Sequence, residues 1–197
     1  MRKTIYTGIS GIVLLFLVSS CASFATYSAY SRDMFEGKRL FKDQEYEKAQ
    51  QFFQKAVDTI KDGASLTYLA ITCYKTGNLD RAEQLIKEAD KLDPYNYTHY
   101  NYTHLRTKGY KALILLKKDK NEGMAALKEY IDYYRRSDPL MTIKNVERMW
   151  RSGAIEMNTL ETLIEEQVSW WENDVEQLYS TGTGFYDRAP WPGGFFR

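Results

Sequence analysis

The chain has 197 residues, of which 44% are hydrophobic and 27% charged, and its formal net charge is +1. This balance is typical of a folded protein rather than a disordered one. A net charge so close to zero gives no indication of nucleic-acid binding. Two cysteines are too few for a disulfide scaffold, so side-chain packing must stabilise the fold.

The N-terminal segment has the layout of a secretory signal peptide. A positively charged start precedes an apolar run from Ile9 to Val18, and Ser19, Ser20 and Cys21 follow the run. An uncleaved transmembrane anchor is the alternative, but these 10 residues fall short of the roughly 20 needed to cross a bilayer.

With Cys21 directly after small residues, the segment resembles a bacterial lipoprotein signal. The resemblance implies that residues 1–20 are removed, that Cys21 carries the lipid, including palmitate, and that residues 21–33 form a lipidated linker. Ala22 follows the cysteine. In bacteria with two membranes, a residue other than Asp at this position implies sorting to the outer membrane, with the protein facing the periplasm.

An internal repeat follows, with a period of 33 residues. Tyr46, Ala49, Phe53 and Ala56 recur as Leu79, Ala82, Ile86 and Ala89, and Gly37 recurs as Ala70. Small residues in register allow two helices to approach closely, while Phe53 and Ile86 fill the space between them. The segments 43–45 and 76–78 are predicted to be the turns within the two helical pairs.

At these positions the chain resembles the tetratricopeptide repeat (TPR). Leu69-Ala70 matches the family's large-small pair, Ala49-x-x-x-Phe53 matches its Ala-x-x-x-Phe, and Pro94 ends the second copy. The family's Trp is absent. The resemblance implies stacked helical hairpins with a concave groove that binds peptides or proteins.

The rest of the chain is predicted to add a third, degenerate pair and further helices. Helices are expected over Tyr97–Leu116 and Met124–Arg136, with Asn121 and Gly123 in the turn between them. Two more are expected over Leu140–Trp150 and Ile155–Leu178. In the second of these an apolar stripe has helical spacing and consists of Leu160, Leu163, Ile164, Val168 and Trp171.

The fold class is therefore all-α, with TPR-like helical repeats over 34–137, C-terminal helices over 138–179, and an irregular tail over 180–197. The tail is rich in Gly, Pro and aromatic residues. Its aromatic side chains are predicted either to fold back on the last helices or to dock on a partner, and they are Phe185, Tyr186, Trp191, Phe195 and Phe196.

Charge is unevenly distributed in the second half. The segment 152–180 has acidic residues and no Lys or Arg, whereas 106–151 is net basic. Two interpretations stay open: that the two segments attract each other, or that the acidic face is kept for a partner.

Side chains on the first helix of each pair that the core does not require are candidates for a partner-binding groove. They are Arg39, Lys42, Thr67, Ile71, Tyr74 and Lys75. We expect them to line the concave surface of the stacked helices.

No pattern for catalysis is found, and neither a metal nor a cofactor is predicted. His99 and His104 are five residues apart and point about 140° apart on a helix. Cys73 is predicted to be a buried apolar residue, and Glu165-Glu166 to belong to a solvated face rather than a glycosidase pair.

The expected function is that of a protein-interaction scaffold or assembly factor in the bacterial cell envelope, and not of an enzyme. A structural or accessory subunit of a cell-wall, secretion or pilus complex is the alternative, ahead of a cell-wall enzyme. The sequence leaves the partner and the oligomeric state open.

Overall fold

The computed structural model describes residues 24–92, 102–137 and 143–181, and over these ranges the protein consists of helices joined by short turns. A first helix, α1, covers 24–42. The helices that follow are α2 (Tyr46–Thr59), α3 (Gly63–Lys75), α4 (Leu79–Leu92), α5 (Tyr102–Lys118), α6 (Lys120–Ser137), α7 (Ile143–Ser152) and α8 (Met157–Thr181). The predicted all-α, TPR-like class of stacked helical hairpins is confirmed.

The first two hairpins are α1 with α2 and α3 with α4. All of the repeated small residues on α2 and α4 are fully buried, as are the two larger residues between them: Ala49, Phe53, Ala56, Ala82, Ile86 and Ala89. A Cβ placed on Gly37 would lie 2.6 Å from the ring of Phe53. Glycine is therefore needed where α1 meets α2, as the repeat predicted.

The turns inside the two hairpins have the same backbone geometry. In each, an amide reaches back five residues to a carbonyl of the preceding helix: Glu45 N to Leu40 O at 2.9 Å, and Asn78 N to Cys73 O at 2.8 Å. The residue before each amide is left-handed, with φ +61° at Gln44 and +86° at Gly77. This is the Schellman ending, in which glycine is the favoured residue, so the first repeat places a glutamine where the second has glycine.

The third hairpin, α5 with α6, differs from its prediction at the turn. Asn121 and Gly123 were expected in the turn, but both lie inside α6, and Asp119 alone separates the helices. The Asp119 carboxylate accepts hydrogen bonds from the amides of Asn121 at 2.8 Å and Glu122 at 2.9 Å, which caps the new helix. Gly123 is there because a Cβ would lie 2.5 Å from the Leu116 backbone, so it marks a close helix crossing.

The C-terminal helices α7 and α8 lie close to their predicted positions, separated by a turn at Gly153, where φ is +66°. Leu160, Ile164 and Val168 of the predicted stripe are buried. Trp171 and the aromatic tail lie outside the residues whose side chains the structure describes, as do Pro94, Pro139 and His99. Among the described helices none is long and apolar enough to cross a membrane.

The N-terminal boundary also differs from the expected linker over 21–33. Residues 24–33 are helical and continue into the rest of α1. The Tyr30 hydroxyl donates a 2.7 Å hydrogen bond to Asp62 at the start of α3, and Asp33 and Met34 are buried. These contacts explain why the helix begins before the repeat pattern does. Cys21 and the signal segment lie outside the described residues.

Candidate functional site

The candidate site is the surface formed by α3 and α5, the first helices of the second and third hairpins, which pack on each other. In stacked helical hairpins this is the surface that becomes the concave groove. Here α8 lies along it, in contact with α5. The groove is therefore occupied by a helix of the same chain.

An acidic side chain of α8 joins that helix to α3. The carboxylate of Glu161 accepts a 3.0 Å hydrogen bond from the Tyr74 hydroxyl. It also forms an ion pair with Nζ of Lys75. The side chains of Lys75 and Glu161 are only 23% and 18% exposed. Because water is largely excluded, this pair is worth more than one on an open surface.

One turn further along α8, Glu165 joins it to α5. Nη1 of Arg106 donates to both of its carboxylate oxygens, at 3.0 and 3.2 Å, and the Tyr110 hydroxyl donates to one of them. The Arg106 side chain is 5% exposed, and its guanidinium lies 5.3 Å from the centre of the Tyr68 ring. A buried guanidinium requires a fixed acceptor, and Glu165 provides it.

A third polar contact reaches α6, where the Tyr130 hydroxyl donates to Oε1 of Gln167. Leu160, Ile164 and Val168, the residues next to these polar side chains on α8, are fully buried. A Cβ on Gly109 of α5 would lie 2.5 Å from Cγ2 of Ile164. Such close packing shows that α8 is an integral part of the core.

The hydroxyl donors of this site stay protonated near neutral pH. Burial, followed by the charge of Glu161, raises the pKa of Tyr74. Burial and the neighbouring Glu165 raise the pKa of Tyr110 well above 10.0, and burial raises that of Tyr130. Since the phenols donate to carboxylate or amide oxygens of α8, their neutral form is the one that binds the helix.

The groove candidates separate into two groups. Thr67, Ile71 and Tyr74 are buried, and Thr67 shares a 2.7 Å hydroxyl–hydroxyl hydrogen bond with Thr107 of α5. The expectation that the core does not require them is wrong, because α5 and α8 cover this face of α3.

The second group is more accessible. Lys75 is half-buried against Glu161, while Arg39 and Lys42 are exposed on α1. Arg39 is paired with Glu36 at 3.0 Å and Asp43 at 3.3 Å within its own helix. Of the six candidates, only Arg39 and Lys42 are therefore exposed.

The groove-filling carboxylates, Glu161 and Glu165, were not among the candidates. The feature of the sequence that pointed to them was the acidic segment 152–180. The structure agrees with the interpretation that this segment is attracted to a neighbouring part of the chain. Arg106 comes from the basic segment named above, whereas Lys75 comes from the second repeat. Glu166, adjacent to Glu165, is exposed as predicted for a solvated face, whereas Glu165 departs from that prediction because it is paired with the buried Arg106.

The His, Cys, Asp and Glu side chains of the described residues do not gather into a metal site. No group of three or more His, Cys, Asp or Glu side chains among them could hold a metal ion. Cys73 is buried, and burial raises the pKa of its thiol. His104 is also buried and packs with its ring centre 4.7 Å from that of Tyr133.

Comparison with known proteins agrees with the repeat architecture. A family model described as tetratricopeptide repeat matches residues 40–102, which include α2, α3 and α4. No curated protein matches the chain. The match supports TPR-like repeats and, with them, a role in binding other proteins. All-α folds of this kind are typical of interaction scaffolds rather than enzymes.

Proposed function

We propose that this protein is a lipid-anchored TPR-like scaffold or assembly factor of the bacterial cell envelope, held at the outer membrane and facing the periplasm. The proposal is supported mainly by two features that occur in the same chain. A lipoprotein-like signal precedes Cys21, helix α1 begins at residue 24, and the match to the tetratricopeptide repeat starts at residue 40.

The filled groove restricts where a partner protein would bind. Over α3 and α5 the concave surface is already occupied by α8 through Glu161 and Glu165. A partner would therefore use other surfaces. The open side of α1, where Arg39 and Lys42 are exposed, is one candidate, and the aromatic tail from Phe185 onwards is the other.

Anchoring is tested by replacing Cys21 with Ser in the full chain. Only a thiol at this site forms the thioether to lipid, so Cys21→Ser should abolish palmitate labelling and leave unprocessed precursor in the membrane fraction. Cys73→Ser is the matched control and should label normally, because Cys73 is buried in the helical array. Normal labelling of the Cys21 variant would end the lipoprotein proposal.

The interaction role is tested by recovering the tagged protein from detergent-solubilised membranes and identifying what accompanies it by mass spectrometry. We expect a specific envelope protein to be recovered with the full chain. Loss of that protein on deleting residues 185–197, with no change in melting temperature, would assign the contact to the tail. Recovery of no protein above the level of an unrelated lipoprotein would contradict the scaffold role.

A structural or accessory subunit of a cell-wall, secretion or pilus complex is the second candidate. The filling of the groove by α8 favours it, since such a subunit needs a rigid outer surface more than an open peptide site. A permanent subunit would resist dissociation by salt, whereas an assembly factor would release its partner. The salt dependence of the recovered complex distinguishes the two.

A further inference from the structure

The first turns of α1 carry an aromatic surface that no helix of the described part of the chain covers. Phe24 is 76% exposed, Tyr27 63% and Phe35 67%. Phe24 and Phe35 are eleven residues apart and thus about 20° apart around the helix, with Tyr27 about 60° to the other side of Phe24. We refer to Phe24, Tyr27 and Phe35 as the aromatic strip.

The surroundings of the aromatic strip are uncharged at one end and basic at the other. Ser28 and Ser31 lie between its two phenylalanines on the same side of the helix, and no charged residue occurs from Phe24 to Ser31. Past Phe35 on this side of the helix the exposed side chains are Arg39, which is paired with Glu36 and Asp43, and then Lys42. Aromatic rings with neutral small residues, followed by a lysine, suit the boundary between acyl chains and anionic headgroups.

The position of the aromatic strip in the chain indicates that a membrane surface covers it. Cys21 precedes Phe24 by three residues, and three residues span at most about 11 Å. A lipid on Cys21 would hold the start of α1 at the depth of the headgroups. Side chains this close to the anchor would therefore meet the bilayer surface without further movement of the chain.

We propose that the aromatic strip of α1 lies on the surface of an anionic phospholipid bilayer, with Lys42 directed to the headgroups. This inference rests on the envelope location proposed above, and it assigns Lys42 to lipid rather than to a protein partner. With the strip against the membrane, α1 runs along the bilayer surface. The opposite side of α1, which carries Asp33, Gly37 and Leu40, continues to pack on the hairpins, and the buried Met34 borders the strip next to Tyr27.

The test uses the chain from residue 22 onwards, which lacks Cys21 and therefore cannot be acylated. It retains every residue that the structure describes. The measurement is flotation with vesicles of phosphatidylethanolamine and phosphatidylglycerol. We expect the chain to float with these vesicles. The affinity of the variant Phe24→Ser/Tyr27→Ser/Phe35→Ser for the vesicles should be lower by about tenfold or more. Because all three side chains are exposed, its circular dichroism and melting temperature should be unchanged.

Trp170→Ser is the matched control, since Trp170 is an aromatic side chain that is also 63% exposed but lies on α8. It should float as the parent chain does. Lys42→Glu should weaken flotation with the anionic vesicles and have little effect with phosphatidylcholine alone. Trp170→Ser and Lys42→Glu together distinguish a specific contact made by the aromatic strip from non-specific binding of exposed aromatic side chains to lipid.

Failure of the parent chain to float, or equal flotation of the triple variant, would overturn the inference. A second copy of the chain is the competing occupant. A parent chain that sediments as a dimer, becomes a monomer in the triple variant and does not bind vesicles would assign the strip to self-association. If the chain from residue 22 floats but the full chain is not labelled with palmitate, the aromatic strip is still a membrane-binding surface and only the lipid anchor is rejected.

Discussion

The ion pair between α5 and α8 provides a quantitative test of how firmly α8 is held. Glu165→Ala removes the carboxylate that accepts from Arg106 at 3.0 Å and from the Tyr110 hydroxyl. Removing one member of a buried pair costs about 3–5 kcal/mol. Glu165 itself is 31% exposed, and the guanidinium retains its contact with Tyr68. Because water can partly replace the lost acceptor, we expect a smaller loss of about 2–3 kcal/mol.

The assay is urea and thermal unfolding followed by circular dichroism near neutral pH, on the chain from residue 22. For a domain of this size the loss corresponds to a melting temperature lower by roughly 5–10 °C. Glu166→Ala is the matched control: the same change at the adjacent, exposed position should stay within about 0.5 kcal/mol. Equal unfolding curves for the two variants would refute the assignment of Glu165 to the groove.

Three further predictions concern the turns, a helix crossing and acid stability. Gln44→Gly should stabilise the protein by about 0.5–1 kcal/mol and Gly77→Ala destabilise it by about 1 kcal/mol, because both positions are left-handed; a loss of stability in Gln44→Gly would contradict the turn geometry. Gly109→Ala should cost about 1–3 kcal/mol in urea unfolding, since the new methyl would lie 2.5 Å from Ile164, and an unchanged midpoint would mean that α8 does not pack there. Burial acts to raise the pKa of Asp90, but the ammonium groups of Lys108 and Lys111, each 2.7 Å from one of its carboxylate oxygens, outweigh it and lower the pKa. The contribution of Asp90 is therefore present above about pH 4 and lost as the pH falls through the lowered pKa, so the destabilisation of Asp90→Asn measured at pH 7 should shrink towards zero at pH 2–3, and a constant difference would exclude this linkage.

Local features of the repeats could be predicted from the sequence. Small residues recurring every 33 positions indicated where helices cross, and Ala49, Ala82 and their neighbours are fully buried there. The turns at 43–45 and 76–78 also lie where predicted. These features depend on contacts between neighbouring elements, which leave a periodic pattern in the chain.

Glycines were harder to interpret. Gly123 was assigned to a turn because glycine interrupts helices, yet it lies inside α6 against the Leu116 backbone. The same residue type serves turns and close crossings, and a single sequence does not separate the two. The start of α1 was missed for a related reason: its buried contacts, such as Tyr30 with Asp62, join positions 32 residues apart.

That α8 occupies the groove could not be predicted from the sequence, for a physical reason. Charge asymmetry left two interpretations open, attraction between the two segments or an acidic face for a partner, and charge alone gives no geometry. Glu161 lies 86 residues from Lys75 along the chain. Which carboxylate meets which cation depends on the path of α7 and α8, and this path is determined by packing around Leu160, Ile164 and Val168.

A double-mutant cycle between Lys75 and Glu161 tests whether α8 fills the concave groove across α3 and α5. The single variants Lys75→Met and Glu161→Gln and their combination are compared by urea unfolding. We expect a coupling free energy of about 0.5–1.5 kcal/mol for this pair. The same cycle between Lys75 and the exposed Glu166 should give less than about 0.3–0.5 kcal/mol. No coupling between Lys75 and Glu161 would contradict this position of α8 and leave the groove open.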